Sequence, residues 1–290
     1  LALFVLLVCN ANALEICAMS DFEEFKKAEK SGWEAQGGRY HLGVENFTTI
    51  ATPALLEMAQ VGKGDKLAII ACGPGYGMDL AADLGAEPVG VDFSEAMLET
   101  ARQKYPGHRF EQGDAENLKY EDNSFDAVVC AFGVLHFAYP KKALAEFYRV
   151  LKPGGHMVYS VWTSLDSNPF FSMALGTVAK HGTLDVPMPP GPDMFAYADE
   201  DTAHRDLGEI GYTGIEVHAL PMLGHSDDPD FLVNALQYST VRTKITLDAQ
   251  TPEALEAIFA DLKQQTEALK TPEGDYAMAF HATCVSGRKP

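Results

Sequence analysis

The stretch KLAIIACGPGYG, residues 66–77, joins a short apolar run to a glycine cluster. The run 67–71 reads as a buried strand, because it is apolar throughout and bounded by turn residues. Glycines at its end let the backbone pass close to a ligand and turn sharply into a helix. Residues 78–84 read as that helix. The alternation continues downstream. Residues 88–91 read as a strand ending at Asp92, and 94–104 as a helix with Ser94 as its N-cap and Met97 on its apolar face. Residues 109–112 and 125–132 read as further strands. Residues 141–151 read as a helix stopped by Pro153-Gly154-Gly155, followed by a strand over 156–162. Apolar strands alternating with helices predict an α/β fold of Rossmann-like type, a doubly wound, mostly parallel sheet covered on both faces. Such sheets bind ligands beyond the carboxyl ends of their strands. The functional reading therefore rests on the residues just after each strand.

The flanks read differently. Helices are expected over 21–30 and 52–60, followed by a turn at 62–65, so residues 19–62 read as an N-terminal helical cap. Residues 163–197 are rich in proline and methionine and read as a lid or pocket wall. Beyond them a helix is expected over 203–210, a strand over 214–220, a mainly helical stretch over 226–269 and a last strand over 276–286. Residues 163–290 thus read as a C-terminal lid insertion with the remaining strands of the same domain.

Composition narrows the function. The chain has 290 residues, of which 47% are hydrophobic, enough for a full core. A formal net charge of −19 repels phosphate backbones, and no run of Lys and Arg offsets it, so nucleic acid is not an expected partner. Lys26, Lys27 and Lys30, set among Glu23, Glu24 and Glu29, read as a solvated helix face. Cys9, Cys17, Cys72, Cys130 and Cys284 have neither zinc-site nor disulfide spacing and read as free thiols of a reducing compartment. No metal is expected. The run 1–8 is too short to span a bilayer. Ala11-Asn12-Ala13 resembles a signal-peptidase site, whereas Met19-Ser20-Asp21 resembles a cytosolic start. Residues 1–18 read as an apolar leader or upstream extension, and a cytoplasmic protein is expected, with a targeted or secreted one as the alternative.

Each position after a strand has a functional and a plain reading. Gly73, Pro74 and Gly75 suit close approach of a ligand. A dinucleotide fingerprint would place its third glycine at Met78, which counts against a nicotinamide cofactor. Asp92 suits two ribose hydroxyls, or merely a charge at a helix N-terminus. Asp114 suits an exocyclic amine, or merely a capped turn. Residues 131–136, AFGVLH, follow the fourth strand.

Taken together, ACGPGYG, GVDFSEAML, GDAENL, FDAVVCAFGVLHF and EFYRVLKPGG resemble the methyltransferase domain of the class I S-adenosylmethionine-dependent family, near the ubiquinone-biosynthesis type. They span residues 66–162, and the implied cofactor-binding core is 63–162. The resemblance implies that Ala71, Gly73, Pro74 and Gly75 line the methionine and ribose part of S-adenosylmethionine. Asp92 would hold the ribose hydroxyls, Phe93 and Met97 would flank the adenine, and Asp114 and Ala115 would read its edge. Phe132 and Gly133 would lie under the sulfonium. WEAQGGRY, residues 33–40, is similar to an element that covers the cofactor, which implicates Trp33 and Tyr40. Ile69 departs from the pattern, which often has an acidic residue there.

Methyl transfer is an in-line displacement that needs alignment of donor and acceptor more than an enzyme nucleophile. His136 is the candidate base if the acceptor loses a proton, and a packed structural histidine otherwise. The acceptor is expected to be a small molecule, with carbon or oxygen as its favoured atom. Trp162, Phe170, Phe171 and Phe195, with Met188, Met194 and Tyr197, suit an apolar acceptor pocket, or a satellite cluster under a loop. His181 and Asp193 could add polarity to it. Two other readings stay open: a non-catalytic cofactor-binding scaffold and, behind it, a nucleotide-cofactor dehydrogenase. The sequence leaves the oligomeric state open.

Overall fold

The computed structural model describes residues 22–290. The leader 1–18, the start at Met19-Ser20-Asp21, and both Cys9 and Cys17 lie outside the described residues.

Strands β1 (Lys66–Ile70), β2 (Glu87–Asp92), β3 (Arg109–Gln112), β4 (Phe125–Ala131), β5 (Leu151–Trp162), β6 (Thr213–Ser226) and β7 (Tyr276–Arg288) form one sheet. It is seven-stranded, in the order β3-β2-β1-β4-β5-β7-β6. Neighbours among β1 to β5 pair in parallel, and β7 runs antiparallel to both β5 and β6. The strand order reverses between β1 and β4, which opens a crevice beyond their carboxyl ends.

Helices cover the sheet. The N-terminal group is α1 (Glu23–Gln36), α2 (Tyr40–Gly43), α3 (Glu45–Thr48) and α4 (Thr52–Met58). The crossovers are α5 (Met78–Asp83), α6 (Glu95–Lys104) and α7 (Pro140–Val150). After β5 come α8 (Pro169–His181) and α9 (Glu200–Ile210), and between β6 and β7 come α10 (Phe231–Tyr238), α11 (Val241–Asp248) and α12 (Pro252–Glu267). The sequence explains many boundaries. Ser94 has extended backbone, and its hydroxyl accepts from the Met97 amide to cap α6. Thr251 caps α12 in the same way, with Pro252 at its first turn. Beneath the helices, Phe147, Leu151, Met157 and Tyr159 are fully buried.

Two expectations need correction. The helix expected to stop at Pro153-Gly154-Gly155 ends at Val150, and those residues belong to β5. There the β4–β5 register shifts between the pairs Phe125–Leu151 and Ala127–His156. Proline and glycine thus mark a strand irregularity rather than a helix stop. The stretch 163–197 was expected to be a lid or pocket wall rather than a core element, yet it holds the 13-residue helix α8. Pro169 at the start of α8 is compatible with a first helical turn. The helix packs on α12 and β7, so this segment adds to the core.

Candidate active site

Beyond the carboxyl ends of β1 to β4 lies a cleft of about 1070 Å3, open to solvent at its mouth. Its floor is built by close approach. The residues that follow β1 and β4, Ala71 and Phe132, have positive φ of 53° and 52°. Non-glycine residues rarely adopt this region, and such strain concentrates at functional sites. Between them lies Gly133, where a Cβ would meet Ala71 Cβ and Cys130 Sγ at 2.6 Å. Gly73 has φ +51° and open space where its side chain would be. The turn therefore presents bare backbone to the cleft.

Asp92 ends β2 at the bottom of the cleft and is buried. Its Oδ2 accepts from the Gly73 amide and its Oδ1 from the Ser94 amide, both at 2.9 Å. Burial raises its pKa to about 6, against the pull of these backbone donors and of His136. A carboxylate offers about four acceptor sites. Each Asp92 oxygen can therefore still take a hydroxyl proton.

Helix α1 lies across this cleft and is tied to its rim. Lys26 Nζ sits 2.7 Å from Asp114 and 2.6 Å from Glu116. Burial alone would lower the Lys26 pKa, but the two carboxylates outweigh it and hold the pKa above its ordinary value. Glu116 also accepts from the Ala138 and Tyr139 amides at 3.0 Å. Further along, the Ser94 hydroxyl donates to Glu34 at 2.8 Å. Glu29 is only 1% exposed, and its Oε2 accepts from Trp33 Nε1 at 3.0 Å. The solvated face expected for these residues is therefore corrected for Lys26 and Glu29. The reason is tertiary: the charges that alternate along α1 meet partners from the segments that follow β3 and β4.

His136 follows β4 in a single 3-10 turn, Val134–His136. Its Nδ1 lies 3.1 Å from Glu29 Oε2. The Trp33 ring meets the imidazole edge-on, with centroids 5.0 Å apart. On its far side, His136 helps line a second cavity of about 430 Å3. Phe132, Tyr40 and Thr48 also border both spaces, while Trp162, Phe170, Phe171 and Phe280 wall the inner one. Ser239 lines it too, with its hydroxyl buried and without a hydrogen-bond partner among the described residues.

Most residues singled out in the sequence meet here. Trp33, Tyr40, Ala71, Gly73, Pro74, Asp92, Phe93, Met97, Asp114, Ala115, Phe132, Gly133 and His136 line the outer cleft. Gly75 packs behind that wall, where a Cβ would meet Tyr105 and Phe110 at 2.9 Å. Trp162, Phe170 and Phe171 line the inner cavity, and Phe195 stands behind Phe171 with ring centroids 5.8 Å apart. Ile69 forms an apolar part of the outer wall. Tyr197 instead donates to Asp206 at 2.9 Å and accepts, through its carbonyl, from Tyr159. His181 pairs with Asp261 at 2.7 Å, and Asp193 accepts from the Phe195 amide, so both serve the helical layer. Sequence reasoning missed Lys26, Glu29, Thr48, Tyr76 and Ser239. An acidic residue four before Trp33 was the available signal for Glu29.

Residues 69–159 match the family model of a methyltransferase domain. Over 170 residues the chain is 31% identical to the demethylmenaquinone methyltransferase of Renibacterium salmoninarum, covering 54% of this chain and 70% of that one. It is 32% identical over 177 residues to that of Paenarthrobacter aurescens, covering 56% and 67%. Among solved structures, a putative methyltransferase from Bacillus halodurans superposes with a TM-score of 0.52 at 20% identity, covering 82% of this chain and 98% of that one. Phosphoethanolamine N-methyltransferase 2 of Haemonchus contortus, solved with S-adenosyl-L-methionine, gives 0.54 at 18% identity, covering 94% and 61%. At these identities the structural likenesses speak to the fold.

Proposed function

The chain belongs to the class I S-adenosylmethionine-dependent methyltransferases, and from that premise we propose that its acceptor is an aromatic small molecule of the quinol or phenol type, bound in the inner cavity. The observation that carries this reading is the position of His136. It borders both spaces, so a group in the outer cleft and an acceptor in the inner one would meet beside a proton acceptor. The demethylmenaquinone methyltransferases to which the chain is similar favour the same acceptor class.

The residues of the outer cleft fit the cofactor. The bare backbone at Gly73 and the free acceptor sites of Asp92 suit a ribose at the turn after β1. Asp114 and Ala115 would read the adenine edge, with Phe93 and Met97 on its faces. Trp33 and Tyr40 would cover it from residues 22–62, which act as a cap on the core 63–162. S-adenosylmethionine supplies an electrophilic methyl group on a sulfonium. The protein's own work is alignment, exclusion of water by α1, and removal of a proton. Trp162, Phe170 and Phe171 would hold an aromatic ring on edge or face, and His136 would take the proton of its hydroxyl. Residues 163–290 then supply the acceptor wall.

The test is a calorimetric titration with S-adenosylmethionine and S-adenosylhomocysteine, on wild type and on Asp92→Ala. Binding that weakens at least ~10-fold in the variant is expected for the loss of a charge-assisted hydrogen-bond pair. Transfer of labelled methyl to 1,4-naphthalenediols is expected in turn. Turnover on aliphatic amines or thiols, and none on arenols, would sink the acceptor reading.

A further inference from the structure

Glu29 is a buried carboxylate on the cap helix, and its Oε2 lies between two ring nitrogens, Trp33 Nε1 at 3.0 Å and His136 Nδ1 at 3.1 Å. An indole nitrogen can only donate, so it fixes that oxygen as an acceptor. The imidazole proton then belongs on Nδ1, and Nε2 is left with its lone pair. Glu29 is also the group that a protonated His136 would need nearby.

We propose that Glu29 is a positioning residue that makes His136 competent as a base, and that it does so only while α1 is seated on the cleft. The inference rests on the acceptor reading above for the identity of the proton donor. In the step, the acceptor's O–H bond breaks. Its electron pair stays on the acceptor, and the proton goes to His136 Nε2. The imidazolium holds both ring protons beside Glu29 until Nε2 gives its proton to water. Other charges act on the pair. Asp92 faces His136 from the end of β2, and Arg242 acts on Glu29 from α11, where its guanidinium also lies 4.8 Å from the Phe25 ring centre.

Seating is part of the argument. Residue 29 reaches residue 136 across the cleft because Lys26 clasps Asp114 and Glu116 on one side and Glu34 accepts from Ser94 on the other. Gly32 lies so close to α11 that a Cβ would meet Val241 at 2.5 Å. A helix held at these points places the carboxylate. A lifted helix removes it, and with it the tautomer. Proton removal is thereby confined to the closed, water-poor state.

The experiment compares wild type with Glu29→Gln by nitrogen-15 spectroscopy of the histidine rings, with His136→Asn used to assign the signal. In wild type, His136 is expected as the Nδ1–H tautomer. In Glu29→Gln, the tautomers should mix, for loss of the acceptor oxygen that selects the Nδ1 proton. Methyl transfer to a naphthalenediol should fall ~10–100-fold in kcat, with the S-adenosylhomocysteine Kd within ~3-fold of wild type. Glu29→Asp, which withdraws the carboxylate by one methylene, gives the same readings should the amide variant not fold. An identical His136 tautomer in wild type and variant overturns the proposal. An Nδ1–H tautomer that depends on Glu29, in a protein that turns over no arenol, supports it and overturns the acceptor reading instead.

Discussion

The Gly73 amide and the Asp92 carboxylate, 19 residues apart in the chain, are joined by a 2.9 Å hydrogen bond that ties the turn after β1 to the end of β2. The bond aims a carboxylate at the cleft while burial holds its pKa near about 6. Two opposite pH dependences follow. Ribose hydroxyls donate, so they need the ionised form. Affinity for S-adenosylhomocysteine should be flat above pH 7 and fall about tenfold per unit well below pH 6. Stability of the ligand-free protein runs the other way. The folded pKa lies above the unfolded value of 3.8, so the folded state holds this proton more tightly. The resulting stability is fully present below the unfolded pKa and is lost as pH rises through the folded one. A shift of this size is worth on the order of 3 kcal/mol. Calorimetry from pH 5 to 8, with urea unfolding of wild type and Asp92→Asn over pH 4 to 7, reads both. An affinity that does not change between pH 5 and 8 would show that the ribose is held elsewhere.

Gly133 makes a steric prediction. Its φ of −93° is open to any residue, so Gly133→Ala strains no backbone. The new methyl would instead lie 2.6 Å from Cys130 Sγ and from Ala71 Cβ, and the latter is carried directly on the backbone and cannot rotate away. The ends of β1 and β4 must separate to admit it. A loss of ~1–3 kcal/mol is expected in urea unfolding, as for other overpacked sites. Cofactor affinity should fall as well, since the same two ends line the cleft. Gly107→Ala, where no atom lies within 4 Å, is the matched control and should change little. Equal behaviour of the two variants would mean that the strand ends are not in the close contact described.

The sequence showed the sheet well and the cap poorly, for physical reasons. Strands β1, β2 and β4 carry short apolar runs, and all four end at, or within three residues of, a glycine or aspartate, so period and punctuation coincide. The residues at their ends, Gly73, Asp92, Asp114 and Phe132, could be read in place because topology alone brings strand ends together. Glu29 and Lys26 could not. On α1 they look like any alternating charges on an exposed helix, and only the docking of that helix reveals their partners. Ser239 is similar: a serine at the end of α10 carries no mark of the cavity it lines. Pro153-Gly154-Gly155 misled because the same residues that stop helices also permit an irregular strand, and the choice depended on pairing with β4. Helix α8 was hidden by the irregular sequence after it, although 169–181 alone has a proline start and an apolar face.

Ser239 makes the last prediction, in which stability and function move in opposite directions. Its hydroxyl is buried in the inner cavity with no partner among the described residues. An unpaired buried hydroxyl costs free energy, so Ser239→Ala should leave stability unchanged or raise it by about 1 kcal/mol. An acceptor bearing a second oxygen would satisfy that hydroxyl, and its loss should then raise KM about 5- to 10-fold, the worth of one neutral hydrogen bond. Cofactor affinity should not move, because Ser239 lies on the far side of His136 and Phe132 from the outer cleft. The discriminating comparison is 1,4-naphthalenediol against 1-naphthol. Sites built to hydrogen-bond a substrate oxygen reject analogues that lack it, since their own group is left unpaired. Wild type should therefore prefer the diol, and Ser239→Ala should lose that preference by slowing only on the diol. A preference retained in full by the variant would mean that the second oxygen lies away from α10, and that the acceptor enters the cavity in the opposite sense.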